Sequence, residues 1–568
     1  MNLKKIIENI NNKKYEEALK LCEDYQSHKN KYIILNLKGV IHLLQKNLDL
    51  AETYFINSTK NNKTFVDPIK NLYVVYNKKK NWEEMLNCAI NLIKINKSDP
   101  TYNYQLGFAY ENTKNLDRAI ESYENCINLN GVEKKQALNN IGNIYLKKNK
   151  PKVSIKFFLN AYEIDPKDKI VINNILLNYI ELRDEKNSDI FYQKAEFLDK
   201  NFSEFLFNKA EYLILKGKFE DAIQILNTNK NQLKFLIRLI KIYFSMGMDA
   251  DGKQLFENYK EKIQKEANFY SFLGMRFLYE GNFKKGWEYY EYRASKSKDF
   301  LKDIKEWNGD NLIEKNILVY NEQGLGDTLQ FSKYLIPLLK ISKKVTFVVP
   351  KKIQDIFRDD ILNLKIINIE EIQNEIFDYK IALGSLIKFF YKERIKSHKK
   401  IINVNKSTTS VWNKKFDKNK LNVGLAWSGS FYGPNEPYRS IPLASLKKIF
   451  SLDINYFCLQ NEIWERDINF FKSSNIINFG KYNLNEISSI IPNLDLVISS
   501  DTSLLHLSAL LEHETWGILN LYPDWRWGAF NKIHPYKSLK LFQQKAFNKW
   551  EDIELEIYKN LERKISDK

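Results

Sequence analysis

Glycine and proline are scarce in this 568-residue chain, at 20 and 12 residues. Their scarcity excludes collagen-like or flexible low-complexity architecture and favours long, uninterrupted elements. Cysteine is rarer still. Cys22, Cys88, Cys126 and Cys458 lie far apart, no Cys-x-x-Cys pair occurs, and the six histidines do not cluster. This spacing argues against structural zinc and for a reduced, cytoplasmic setting, with no metal expected. No run of about eighteen apolar residues exists, so no membrane-spanning helix is expected. The first residues turn polar before a secretory apolar core could form, so no signal peptide is expected either.

What is present is ordinary globular material, with 44% hydrophobic and 28% charged residues. The length corresponds to roughly three to five structural units. The net charge of +18 is lysine-based and forms no basic arm. A solvated lysine-rich surface and attraction to nucleic acid or an anionic membrane both fit such an excess. No nucleic-acid recognition motif accompanies it, so nucleic acid is not expected as a partner.

The first half repeats itself. Tyr15-Glu-Glu-Ala18, Leu48-Asp-Leu-Ala51, Trp82-Glu-Glu-Met85, Leu116-Asp-Arg-Ala119, Pro151-Lys-Val-Ser154, Phe219-Glu-Asp-Ala222 and Phe283-Lys-Lys-Gly286 start 33, 34, 34, 35, 68 and 64 residues apart. The last two gaps each fit two units. Nine positions before the start a small residue recurs: Gly39, Gly107, Gly142, Ala210 and Gly274. An aromatic often follows three later, as at Tyr110, Tyr145 and Phe277. Asp67-Pro68, Asp99-Pro100 and Asp165-Pro166 mark unit ends. Two helices per unit need a small residue where they cross, and a large side chain of the second helix fills the space beside it; proline then turns the chain. The pattern resembles the tetratricopeptide repeat. The resemblance implies a helical solenoid over residues 1–295 whose groove binds a peptide or protein. Asn139 and Asn143 share one helix face; they fit either contact with a peptide backbone or a solvated surface.

From residue 316 the period changes. Short apolar runs at 316–321, 345–349, 364–369, 379–382, 423–427, 456–459, 496–499 and 516–521 alternate with helical stretches, among them 329–339. This order reads as parallel sheets with crossover helices, the basic stretch 384–420 linking two lobes. Ligands in such folds bind at the carboxyl ends of the strands. Four sites lie there. Gly324-Leu-Gly326-Asp327-Thr328 is a glycine turn in which Asp327 either caps a helix or faces the cleft as a carboxylate. Ser428-Gly429-Ser430 continues to Arg439, which is either solvated or a cation of the site. Asp501-Thr502-Ser503 opens a helix whose amides suit a diphosphate, and His506 lies on the same face, either as a buried structural histidine or as a ligand contact. Tyr522-Pro-Asp524-Trp525-Arg526-Trp527-Gly528 either covers a sugar or base or packs the lobe.

Together with Gly286-Trp287-Glu288, Arg293 and Trp307-Asn-Gly309, these segments occur in an order that looks like bacterial tetratricopeptide-repeat proteins with a C-terminal glycosyltransferase domain. That domain is similar to the ADP-heptose lipopolysaccharide heptosyltransferases and, more distantly, to the O-linked N-acetylglucosamine transferases. The resemblance implies an α/β GT-B fold of two Rossmann-like lobes: a connector at 296–311, an acceptor lobe at 312–405 and a nucleotide-sugar lobe at 420–550. It implies that Asp327 is the base that activates the acceptor hydroxyl, and that Gly324, Gly326 and Thr328 form the acceptor loop. It further implies that Ser428, Gly429, Arg439, Asp501, Thr502, Ser503 and His506 hold the donor. A departure from the heptosyltransferases is Ser-Gly-Ser after Trp427 in place of a Pro-Gly type. The chain's Asp-x-Asp, Asp249-Ala-Asp251, lies in the repeats, so a metal-independent reaction without a cofactor is expected. The reading is a glycosyltransferase acting on a protein or glycan hydroxyl. The alternative is a repeat scaffold with a degenerate transferase domain.

Overall fold

A computed structural model describes residues 3–25, 30–264, 266–293, 301–358, 360–372, 375–392, 401–402, 404, 406–430, 439–533, 536–546 and 549–568. The chain divides into two compact units, Met1–Leu236 and Ile237–Lys568. The division falls inside the helix Leu233–Ser245. Among the described residues no helix is long and apolar enough to cross a membrane.

From Leu3 to Tyr290 the chain runs in helix pairs. Each repeat start named above opens the second helix of a pair: Tyr15–Glu23, Leu48–Asn61, Trp82–Ile95, Leu116–Asn128, Pro151–Ile164, Phe219–Thr228 and Phe283–Tyr290. The two wide gaps hold the missing members, Glu185–Asp199 and Asp249–Ile263. The small residues mark the crossings. A Cβ on Gly39, Gly107 or Gly142 would come within 2.5, 2.6 and 2.5 Å of the rings of Phe55, Tyr123 and Phe158. The aromatic knob of one helix therefore fills the notch that glycine leaves on the other. Pro68 and Pro100 stand in the first turn of the helices that follow them, where a missing N–H costs nothing.

A second periodic feature went unread. Two residues before every second helix the backbone enters the left-handed region, at Lys13, Lys46, Lys80, Lys114, Asn149, Arg183, Gly217, Gly247 and Gly281, with φ between 55° and 91°. This residue reverses the chain between the paired helices. At four turns the next residue is an asparagine, Asn47, Asn81, Asn115 or Asn282, whose side chain accepts from an amide of the second helix's first turn.

In the second unit two parallel sheets follow. The first holds β1 (Asn316–Tyr320), β2 (Lys344–Val348), β3 (Leu364–Ile367) and β4 (Tyr379–Ala382) in the order β3-β2-β1-β4. The second holds β5 (Leu421–Ala426), β6 (Ile454–Cys458), β7 (Leu496–Ser500), β8 (Thr515–Leu519) and β9 (Leu539–Gln543) in the order β6-β5-β7-β8-β9. The central strands β5 and β7 are buried along their whole length and β1 along all but its first residue, as in parallel sheets covered on both faces.

The structure corrects several expectations. The helix read at 329–339 begins at Leu325 and breaks into Leu325–Ser332 and Leu335–Leu339, the latter containing Pro337. Strand β9 and the closing helix Glu551–Ser566 had not been read; the helix buries Ile553, Ile557 and Leu561. The stretch 384–420 is not all linker. It carries the helices Leu383–Phe390 and Lys406–Asn413, and residues 393–400 lie outside the described residues. Of the connector, residues 301–311 are tied to the first sheet. The Trp307 amide donates to the Lys380 carbonyl, and its ring packs 4.4 Å from Phe389.

Candidate functional site

A cleft of about 620 Å³ lies at the carboxyl ends of β1, β5 and β7. Its lining includes Gly324, Gly326, Asp327, Ser428, Gly429, Arg439, Asp501, Thr502, Ser503 and His506. Four separate stretches of sequence therefore meet in one cavity. Thr328, expected in the acceptor loop, is buried and does not line it. Its hydroxyl donates to the Gly324 carbonyl at 2.9 Å and pairs with the Asn321 side chain, so it fastens the turn.

After β1 the chain turns at Gly324 into the helix Leu325–Ser332. Asp327 reaches back to accept from the Gly324 amide at 3.2 Å, which is the capping role read from the sequence. Its other oxygen receives Arg526 Nη1 in an ion pair. A Cβ on Gly326 would lie 3.1 Å from His506 Cδ2, so glycine is what lets this turn approach the second sheet's helix. Behind the turn, Glu322 is buried. It accepts from Arg293 Nε at 3.1 Å, Arg293 Nη2 at 2.9 Å and the Gly384 amide at 3.0 Å. Arg293 also donates to Ser385 Oγ at 2.7 Å and to Glu291 at 3.0 Å.

After β5, Gln460 shapes the loop. Its Oε1 accepts from the amides of Trp427 and Ser428 at 2.8 and 3.0 Å, and its Nε2 donates to Ser428 Oγ at 2.8 Å. The Gly429 amide donates to Ser440 Oγ at 3.1 Å, which anchors the segment carrying Arg439. Residues 431–438 lie outside the described residues.

After β7, Thr502 caps the helix Ser503–Leu510, accepting from the Leu504 amide at 3.3 Å. His506 is buried. Its Nε2 lies 3.7 Å from Asp501, its Nδ1 is 3.2 Å from the Tyr536 hydroxyl, and its ring stacks on Trp527 at 5.5 Å. Burial, reinforced by Lys333 and Arg439, pushes its pKa down to about 3, so the imidazole is neutral.

The loop after β8 has two tasks. Trp525 packs among Trp287, Tyr290, Phe331 and Phe530, and Trp527 covers His506; both are buried. Arg526 between them faces the cleft. Asp524 accepts from the Arg526 amide at 3.1 Å and, by burial beside Asp501, has its pKa raised to about 7. Gln460 and Lys352 are cleft residues that the sequence reading missed, and Arg526, read only as part of the loop that covers a sugar or base or packs the lobe, lines the cleft as well. For Arg526 the available signal was a charge set between two tryptophans just past a strand end.

Lys333 lies just behind this wall. It is buried with Nζ 5.4–6.0 Å from the rings of Tyr334, Phe530 and Tyr536, and no carboxylate of the described residues pairs with it. Burial lowers its pKa to about 7. The charged ammonium therefore weakens the fold fully below pH 7, and the penalty fades as pH rises toward the unfolded value near 10.5. Lys333→Met is expected to raise the melting temperature most below pH 7 and little at pH 10. A gain independent of pH in melting curves would contradict the charge-based cause.

The comparisons bear on the repeats. The tetratricopeptide repeat model matches residues 100–132 and 135–168, and the chain carries these repeats. Anaphase-promoting complex subunit 3 of Schizosaccharomyces pombe is 28% identical over 143 residues, which are 25% of this chain and 21% of that protein. The chain thus spans about a fifth of that relative. Among solved structures, a tetratricopeptide repeat protein from Parabacteroides merdae matches with a TM-score of 0.36 at 15% identity, over 42% of this chain and 96% of that one. The Pseudomonas aeruginosa pilF structure matches with a TM-score of 0.32 at 12% identity, over 36% and 92%.

Proposed function

We propose that the two parallel sheets are the lobes of a GT-B glycosyltransferase that moves a sugar from a nucleotide-sugar to a hydroxyl acceptor recruited by the repeats. The observation that supports this is the convergence of Asp327, Arg439, Asp501, Thr502, Ser503 and His506 on one cleft from the strand ends of both sheets. In this reading the first sheet carries the acceptor side and the second the donor side. The helix Ser503–Leu510 and Arg439 receive the diphosphate. Asp327 takes the proton of the acceptor hydroxyl. The hydroxyl oxygen then bonds to the anomeric carbon as the bond from that carbon to the phosphate oxygen breaks. The electron pair stays on the departing diphosphate, whose charge the guanidinium groups and helix amides stabilise. His506, being neutral, can hydrogen-bond donor oxygens without adding charge. Asp249 of the Asp-x-Asp is held by Arg276 at 2.8 Å, which supports leaving it out of the donor site.

Acceptor capture by the repeats fits their protein-interaction character. Side-chain amides link neighbouring units, Asn71 to Asn36 at 3.0 Å and Asn174 to Asn139 at 2.7 Å. Asn139 thus supports the adjoining repeat, and peptide contact through its unit remains part of the proposal.

Melting curves with UDP, ADP and GDP test the donor assignment. A ligand at about 100 times its Kd adds roughly 2.7 kcal/mol to stability. One nucleoside diphosphate should raise the melting temperature, and Arg439→Ala should reduce that rise while leaving the response to the bare nucleoside unchanged. Silence toward all three would favour the scaffold reading.

A further inference from the structure

We propose that Arg526 is shared between two anions, the Asp327 carboxylate and the diphosphate of the donor, so that donor binding itself releases Asp327 to act as a base. The proposal rests on the transferase reading above and assigns a control step to its site.

Four observations carry it. Both Asp327 oxygens are engaged, one by the Gly324 amide and the other by Arg526 Nη1. A carboxylate held this way is a weak proton acceptor, because protonation would break a charge-assisted bond. The two partners stand on different sheets: Asp327 follows β1 and Arg526 follows β8. Both line the cavity that Arg439, Thr502 and Ser503 also line, so a diphosphate seated on the helix Ser503–Leu510 lies in the same cleft as Arg526. Finally, one donor of the guanidinium is ion-paired without being hydrogen-bonded. Its Nε is buried and, 3.0 Å from Asp524, makes no hydrogen bond among the described residues.

A diphosphate carries more charge than one carboxylate and presents several acceptor oxygens, so it competes strongly for a planar fork of donors. The backbone need not move: Asp524 holds the Arg526 amide at 3.1 Å while the side chain re-pairs. Asp327 keeps its bond from the Gly324 amide and gains a free oxygen facing the acceptor. A donor-free site then holds a quenched base, and only a site carrying a diphosphate holds an active one.

Competition for one cation is reciprocal, which yields a result opposite to that for independent groups. Removing the charge of Asp327 frees Arg526 for phosphate, so Asp327→Asn should tighten diphosphate binding by about tenfold, within the usual range of coupling between sites. Titration calorimetry on the full chain tests this with inorganic pyrophosphate and with the nucleoside diphosphate that stabilises the wild type. Asp327→Asn and Asp327→Ser should both bind more tightly. Arg526→Gln should bind at least about tenfold more weakly. In the Arg526→Gln background, Asp327→Asn should give no gain. A wild type that binds the nucleotide while both Asp327 variants bind it equally or less well overturns the exchange and leaves the transferase reading standing. A wild type that binds neither probe overturns both. The Ser variant guards against a local defect peculiar to asparagine, since serine also caps helices.

Discussion

Asp327→Asn is expected to lower sugar transfer by about two to four orders of magnitude, the usual contribution of a positioned general base. The structure sharpens the reason. Asp327 holds two bonds, a cap to the Gly324 amide and an ion pair to Arg526. Asparagine retains an oxygen for the cap, so the turn and the helix Leu325–Ser332 should persist. What disappears is the basic oxygen. A melting temperature near that of the wild type, beside a turnover rate reduced at least a hundredfold, is the expected pair of results. Because the same change is expected to tighten diphosphate binding, the loss must fall in kcat, with KM for the donor unchanged or lower. Full turnover in the Asn variant would leave Asp327 as a cap and an anchor for Arg526.

The second large effect concerns stability. Arg293 and Glu322 form a buried pair with side chains 5% and 1% exposed. Burial raises the carboxyl pKa of Glu322, and Arg293 opposes that rise. Arg293→Met should destabilise the second unit by about 3–5 kcal/mol, because Glu322 would keep the Gly384 amide but lose its counter-charge. The double variant Arg293→Met, Glu322→Gln should recover much of that loss, since a buried pair taken away whole costs far less than one broken in half. Urea-unfolding midpoints of the three proteins decide this. Equal losses in the single and double variants would mean that packing, not charge, sets the cost. Glu322 lies two residues before Gly324, so the single variant should also disturb the turn that aims Asp327.

Much of this architecture could be read in the residues themselves. The repeat starts were visible because each opens a helix with an apolar or aromatic side chain, five of the seven in phase with a small residue nine positions earlier. The left-handed turn of each unit stayed hidden for a physical reason: six of its nine positions hold lysine, asparagine or arginine instead of glycine, and such residues leave no compositional mark. Strands β1 to β8 announced themselves as short apolar runs. Strand β9, Leu539–Gln543, did not, because an edge strand needs burial on fewer positions and carries Lys540 and Gln543. At the site, the glycine and serine turns past β1, β5 and β7 were readable since strand ends impose them. Gln460 and the pairing of Arg526 with Asp327 were not, because these roles come from contacts across 32 and 199 residues of sequence, and no local pattern encodes such a meeting.

The fit between Gly326 and His506 has a mechanical consequence. A Cβ at Gly326 would stand 3.1 Å from the imidazole, tighter than ordinary contact, and the ring is itself stacked on Trp527. Matter packed that closely transmits force and does not stretch. The contact joins the turn after β1 to the helix after β7, so a side chain added at Gly326 would push the ring or the turn by a few tenths of an ångström beside Asp327.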